Sequence, residues 1–125
     1  MDKKKILLVE DDPFISEMYT TKFDRAGYDV ETAMTGKEGL MKATEWGPDI
    51  ILLDILIPEM DGFEVLSQVK KNPATSKIPV MMLTNLGQKE DIEKGAALGA
   101  AAYVVKAHFT PQEVVDKVKT LLATG

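Results

Sequence analysis

In this chain, polar side chains stand directly after apolar runs, and their types suit one chemistry. Glu10-Asp11-Asp12 follows Ile6-Leu7-Leu8-Val9, Asp54 follows Ile50-Ile51-Leu52-Leu53, Thr84 follows Val80-Met81-Met82-Leu83, and Lys106 follows Tyr103-Val104-Val105. Brought into one crevice, Asp11 and Asp54 set like charges a few ångströms apart, a repulsion of ~1 kcal/mol in water and ~4 kcal/mol at an effective dielectric of about 20. A hard divalent cation offsets it. Mg2+ (or Mn2+) suits a site of one or two carboxylates, several waters and phosphate oxygens. The Asp54 carboxylate is also a nucleophile. If a phosphoryl group reaches it, the cation, the Lys106 ammonium, the Thr84 hydroxyl and nearby backbone N–H groups can spread over the equatorial oxygens.

Taken singly, each residue has a simpler explanation. Asp12 before Pro13 is a good helix N-cap, and acids in a first helical turn gain from the helix dipole. Thr84 is a β-branched strand residue and Lys106 a surface lysine at a strand end. Asp54 is different, because the Ile55-Leu56-Ile57-Pro58 stretch that follows it is apolar rather than an ordinary polar loop. Only the combination is specific, and it requires a fold that gathers all these positions on one edge.

The apolar runs themselves imply that fold. They are continuous rather than alternating, which suits strands covered on both faces of a parallel sheet. Between them lie helical stretches with start and stop signals. Pro13 opens one that carries Phe14, Ile15, Met18 and Phe23 and runs to Ala26, before Gly27. Tyr28 to Ala33 alternates as a weaker strand. Thr35 and Glu38 have capping-box spacing before a helix ending at Gly47-Pro48, and Asp61/Glu64 and Thr110/Glu113 repeat the device before helices bearing Leu66 and Val69, and Val114, Val115, Val118 and Leu121. Gly99 ends the helix between them. Strand and helix thus alternate five times with short connections, the pattern of a doubly wound parallel α/β sheet, in which ligands bind at the carboxyl ends of the strands.

Length and composition narrow the function classes. With 125 residues the chain is read as one domain, 1–125, large enough for a single core. It contains no cysteine, and its apolar runs fall far short of the ~20 residues needed to cross a bilayer, so the expectation is a cytoplasmic protein with no membrane contact. A formal net charge of −5 without a basic stripe argues against direct nucleic-acid binding.

The ordered set Ile6-Leu7-Leu8-Val9-Glu10-Asp11-Asp12, Leu53-Asp54, Ile57-Pro58-Glu59-Met60-Asp61-Gly62, Leu83-Thr84, Gly99-Ala100 and Tyr103-Val104-Val105-Lys106 resembles the receiver domain of bacterial response regulators, from Lys4 to Leu122. The resemblance implies a flavodoxin-like five-stranded parallel sheet of order 2-1-3-4-5. It implies a signalling switch rather than an enzyme: Asp54 takes a phosphoryl group, in a Mg2+-dependent reaction, from a phosphohistidine of a sensor histidine kinase or histidine phosphotransfer protein. Asp11 and Asp54 would then bind the metal directly, Glu10 through water and Leu56 by its main-chain carbonyl. Thr84 and Lys106 would hold the phosphoryl group, with Thr84 and Tyr103 as the moving pair. A half-buried strand tyrosine accounts for Tyr103 equally well. Output would pass to a protein target through helix 4, strand 5 and helix 5, from a monomer or a phosphorylation-induced dimer, since no output domain is expected after the last helix.

The chain departs from the family pattern in places. Ala107 stands where proline usually follows the lysine, Asn85 where a small residue follows the threonine, and Leu56 and Leu86 are apolar where the family places groups that orient hydrolytic water. A long-lived phosphorylated form is expected, and a lifetime of seconds without a phosphatase would contradict it. His108, the single histidine, suits a surface role. Gly95 inside a helix costs ~1 kcal/mol relative to alanine, which points either to tight packing or to eased movement. Other functions fit less well. A dehalogenase-type phosphohydrolase needs a second acid where Leu56 stands, nucleotide binding needs glycines where the first strand meets acids, and a phosphorylation-independent interaction module leaves the reactive residues unexplained.

Overall fold

The structure, a computed structural model, describes residues 3–124; Met1, Asp2 and Gly125 of the expected 1–125 domain lie outside the described residues. Five strands alternate with five helices: β1 Lys5–Val9, α1 Pro13–Arg25, β2 Asp29–Ala33, α2 Gly36–Trp46, β3 Ile50–Leu53, α3 Gly62–Lys71, β4 Val80–Thr84, α4 Lys89–Ala97, β5 Ala102–Val105 and α5 Pro111–Thr124. The sheet order is β2-β1-β3-β4-β5 and every pairing is parallel. All five strands therefore end on the same edge, as expected of the alternating pattern.

The continuous apolar runs are buried on both sides of the sheet. Leu7, Val9, Ile51, Leu53 and Met82 face one core with Val65, Leu66 and Val69 of α3, and with Ala43 of α2. Ile6, Leu8, Ile50, Leu52, Met81, Leu83 and Val104 face the other, against Tyr19 and Phe23 of α1 and Val114, Val115 and Val118 of α5. Alternate residues of each strand thus feed opposite layers, and that is why these strands read as unbroken apolar sequence.

The helix starts follow the capping signals with local variations. At α5 the box is reciprocal: Glu113 N–H donates to Thr110 Oγ1 (3.1 Å) and Thr110 N–H to Glu113 Oε1 (2.8 Å). At α2 the Thr35 hydroxyl accepts from Glu38 N–H, but the Glu38 carboxylate reaches one residue further back, to Met34 N–H. At α3 Asp61 accepts from Glu64 N–H, while Glu64 turns to Gln68 instead of closing the box. The first helix ends one residue earlier than expected, Ala26 serving as its C-cap and Gly27 taking φ +98°. Strand β2 starts at Asp29 rather than Tyr28, whose ring lies edge-on to Phe23.

Candidate functional site

The carboxyl edge of the sheet gathers the expected side chains. Backbone bonds fix the two acid-bearing segments side by side: Asp54 N–H donates to Val9 O (3.1 Å), and Glu10 N–H donates to Ala33 O (2.9 Å). Asp54 is only 8% exposed and Glu10 2%, while Asp11 projects to solvent. One carboxylate oxygen from each of Glu10, Asp11 and Asp54 lies within 4.8 Å of the others. Asp12 is not in this cluster. Its Oδ1 accepts from Phe14 N–H (2.9 Å) and Ile15 N–H (3.2 Å), so of its two sequence readings the structure shows the helix cap.

Lys106 reaches into the cluster from the end of β5. Its Nζ donates to Asp54 Oδ2 at 2.9 Å and to Glu10 Oε1. Burial alone would lower the Lys106 ammonium, but the hydrogen bonds and charges of Glu10 and Asp54 outweigh it and hold its pKa above the ordinary 10.5. The second Asp54 oxygen, Oδ1, accepts from Ile55 N–H at 2.7 Å. Formally, three carboxylates face one ammonium, which leaves two negative charges. An all-oxygen donor set with that residual charge fits a hard divalent cation, which is bound by carboxylates, carbonyls and water.

The other expected residues are placed as follows. Thr84, fully buried, closes β4 beside Val105, and its Oγ1 accepts a long bond from Leu86 N–H (3.4 Å). Leu56 lies in the β3–α3 loop with 63% of its surface exposed. That loop is held by two glycines. A Cβ on Gly62 would stand 2.3 Å from Asp54 O, and one on Gly36 would stand 1.9 Å from Met60 O, so neither site admits a side chain without moving backbone. Tyr103, half-buried, donates its hydroxyl to the Leu86 carbonyl of the β4–α4 loop. Burial first, then the charges of Asp91 and Asp54, push its phenol up to about 12.

Several features of the site carry no signal in the local sequence. Lys106–His108 forms a 3-10 turn rather than a plain loop, with a trans peptide at Lys106–Ala107 and His108 exposed. Glu10 is bonded directly to Lys106, a pairing across ninety-six positions for which no local signal exists. A cleft of about 320 Å³, lined in part by Tyr19, Asn85, Lys106 and Ala107, opens on the α1 side of Lys106.

Residues 6–119 match the family model of the response regulator receiver domain. The chain belongs to this family. The receiver domain is 40% identical over 118 residues to the DNA-binding dual master transcriptional regulator RpaA of Synechocystis, covering 94% of this chain and 48% of that protein. It matches the crystal structure of a putative response regulator from Chloroflexus aurantiacus with a TM-score of 0.90 and 35% identity, over 98% of this chain and 99% of the other. It also matches the Vibrio cholerae chemotaxis protein CheY4 (TM-score 0.88, 34% identity, 95% and 98% covered). The chain spans about half the length of the curated relatives it matches. Those relatives are response regulators, signalling proteins, and the sheet order is that of the CheY-like, flavodoxin-like fold. Among the described residues of this receiver domain, no helix is long and apolar enough to cross a membrane.

Proposed function

We propose that this receiver domain is a phosphorylation-dependent switch in which Asp54 is the phosphoacceptor. The observation that carries the reading is the Asp54 carboxylate, nearly buried and bonded to Lys106 and Ile55 N–H, within one cluster with Glu10 and Asp11. An Asp54 oxygen attacks the phosphorus of a phosphohistidine on a sensor kinase or phosphotransfer protein. The P–N bond breaks, the imidazole leaves with the bonding pair and takes up a proton, and an acyl phosphate is formed. Lys106, freed from part of its pairing with Asp54, keeps a positive charge against the transferred group. Thr84 supplies a hydroxyl donor from β4.

Asp11 and Asp54 would hold Mg2+ or Mn2+, with the Leu56 carbonyl as a third protein oxygen and Glu10 acting through water. Held there, a divalent cation would supply positive charge against the phosphoryl oxygens. Tyr103 and Thr84 form the moving pair, and the resulting change is read by a downstream protein at the α4–β5–α5 face. Leu56 and Leu86 offer no side-chain polar group to orient a hydrolytic water, so the acyl phosphate is long-lived. The whole 1–125 chain acts as one cytoplasmic module that binds proteins rather than nucleic acid or membrane.

Incubation with a small phosphodonor and Mg2+, followed by intact-mass measurement, tests this reading. One added phosphoryl group is expected on the wild type and none on Asp54→Asn or without metal. Equal incorporation in the mutant would overturn it.

A further inference from the structure

Helix α4 docks on the sheet with a gap where a side chain would be expected. Its inward positions are Asp91, Gly95 and Leu98, spaced i, i+4 and i+7, and Gly95 is the buried residue of the three. The gap is filled from the other side. A Cβ on Gly95 would lie 3.1 Å from Cδ2 and 3.4 Å from Cε2 of the Tyr103 ring, and 3.7 Å from Cγ of Met82. The ring therefore borders the space into which a helix side chain would project, closely enough that even a Cβ would crowd it. Its far end is tied down as well, because the Tyr103 hydroxyl donates to the Leu86 carbonyl just ahead of α4. A mid-helix glycine is unfavourable on propensity grounds, and its presence here is accounted for by this contact.

We propose that Gly95 is the positioning residue for Tyr103: the missing side chain on α4 forms the seat in which the ring lies with its hydroxyl on Leu86 O. The seat brings Tyr103 of β5 directly against α4, and a methyl group at position 95 would press on the ring at 3.1 Å, so the ring would have to give by a few tenths of an ångström. For the receiver domain this means that α4 senses where the ring is through one close contact. That consequence rests on the switch reading of Tyr103 given above, whereas the seat itself rests only on the packing of Gly95 against the Tyr103 ring.

The two are tested separately. The seat is tested without a phosphodonor, by thermal unfolding and by aromatic proton NMR of Gly95→Ala, Tyr103→Leu and the double variant. If the seat exists, Gly95→Ala lowers the melting temperature despite the better helix propensity of alanine, and the Tyr103 ring resonances shift. In the Tyr103→Leu background the same substitution becomes neutral or stabilising. A single variant that fails to fold while the double variant folds supports the seat equally. The proposal is overturned if Gly95→Ala simply raises the melting temperature with the ring resonances unmoved, or if Tyr103→Leu gives no relief, which would place the conflict with Met82 instead. Phosphoryl incorporation, read by intact mass, is expected at the wild-type rate in Gly95→Ala. A wild type that takes up no phosphoryl group would remove the switch reading and leave the seat standing.

Discussion

Helices α3 and α4 lie against the same face of the sheet, yet they are held in different ways. Helix α3 buries Val65, Leu66 and Val69 at helical spacing, is capped by Asp61, and begins with Gly62 pressed against the Asp54 carbonyl. Helix α4 buries only Gly95, and Gln88 at its N-cap makes no side-chain capping bond. Its Lys94 lies over the Phe63 ring of α3, 4.5 Å from the centroid, an exposed cation–π contact worth ~0.5–1 kcal/mol. The wall behind the acidic cluster is thus firmly packed, whereas the neighbouring helix meets the core through Gly95 against Tyr103 and through the half-buried Leu98 at its C-cap. The carboxylates proposed for phosphoryl chemistry sit beside the firmly packed helix, and the face proposed for output includes the lightly packed one.

The strongest challenge to this contrast is to empty each helix's contact in turn. Leu66→Ala, at a fully buried site, should cost about 2–5 kcal/mol in denaturant unfolding. Leu98→Ala, at the C-cap of α4, should cost well under half of that, because part of its surface is already in water. Equal losses would show that α4 is as firmly packed as α3.

Capping offers a smaller perturbation with opposite signs. Removing the α3 cap with Asp61→Ala should destabilise by ~1 kcal/mol. Gln88→Asp supplies α4 with the cap it lacks and should stabilise by up to ~1 kcal/mol, with slower amide exchange confined to α4. A Gln88→Asp variant no more stable than wild type would mean that the start of α4 is already satisfied.

The pH dependence is the most subtle of these effects, since it is silent at neutrality. The Tyr103 phenol and the Lys106 ammonium are both raised above their ordinary values of 10.0 and 10.5. A group raised in the folded state contributes stability that is complete below its unfolded pKa and is lost as pH climbs through the folded one. Unfolding midpoints should therefore be flat from neutrality to about pH 10 and fall from there toward the Tyr103 value of about 12. Tyr103→Phe should remove part of the fall. A decline starting at neutral pH would contradict the assignment.

Much of this arrangement was legible in the amino-acid sequence. The unbroken runs Ile6 to Val9 and Ile50 to Leu53 announce two-sided burial, and Thr35, Asp61 and Thr110 mark helix starts because a cap is a local bond within four residues. The positions of Asp11, Asp54, Thr84 and Lys106 at one edge follow from parallel strands ending together. Contacts that join distant segments were not legible. Nothing near Glu10 signals that its carboxylate pairs with Lys106, nothing near Tyr103 signals the Leu86 carbonyl as its acceptor, and the reason for Gly95 appears only when the Tyr103 ring is seen beneath it. Asp12 and Gly95 each had two readings that composition and spacing could not separate; the bonds from Phe14 and Ile15 N–H show Asp12 as a cap, and the close approach of the Tyr103 ring supports the packing reading of Gly95.

Amide hydrogen exchange, compared before and after treatment with a small phosphodonor and Mg2+, measures the link between the firmly packed wall and the lightly held helix. Altered exchange is expected in α4 and the β4–α4 loop, with α3 from Val65 to Val69 unchanged, and no response in Asp54→Asn. Exchange that changes equally in both helices, or in α3 alone, would contradict it.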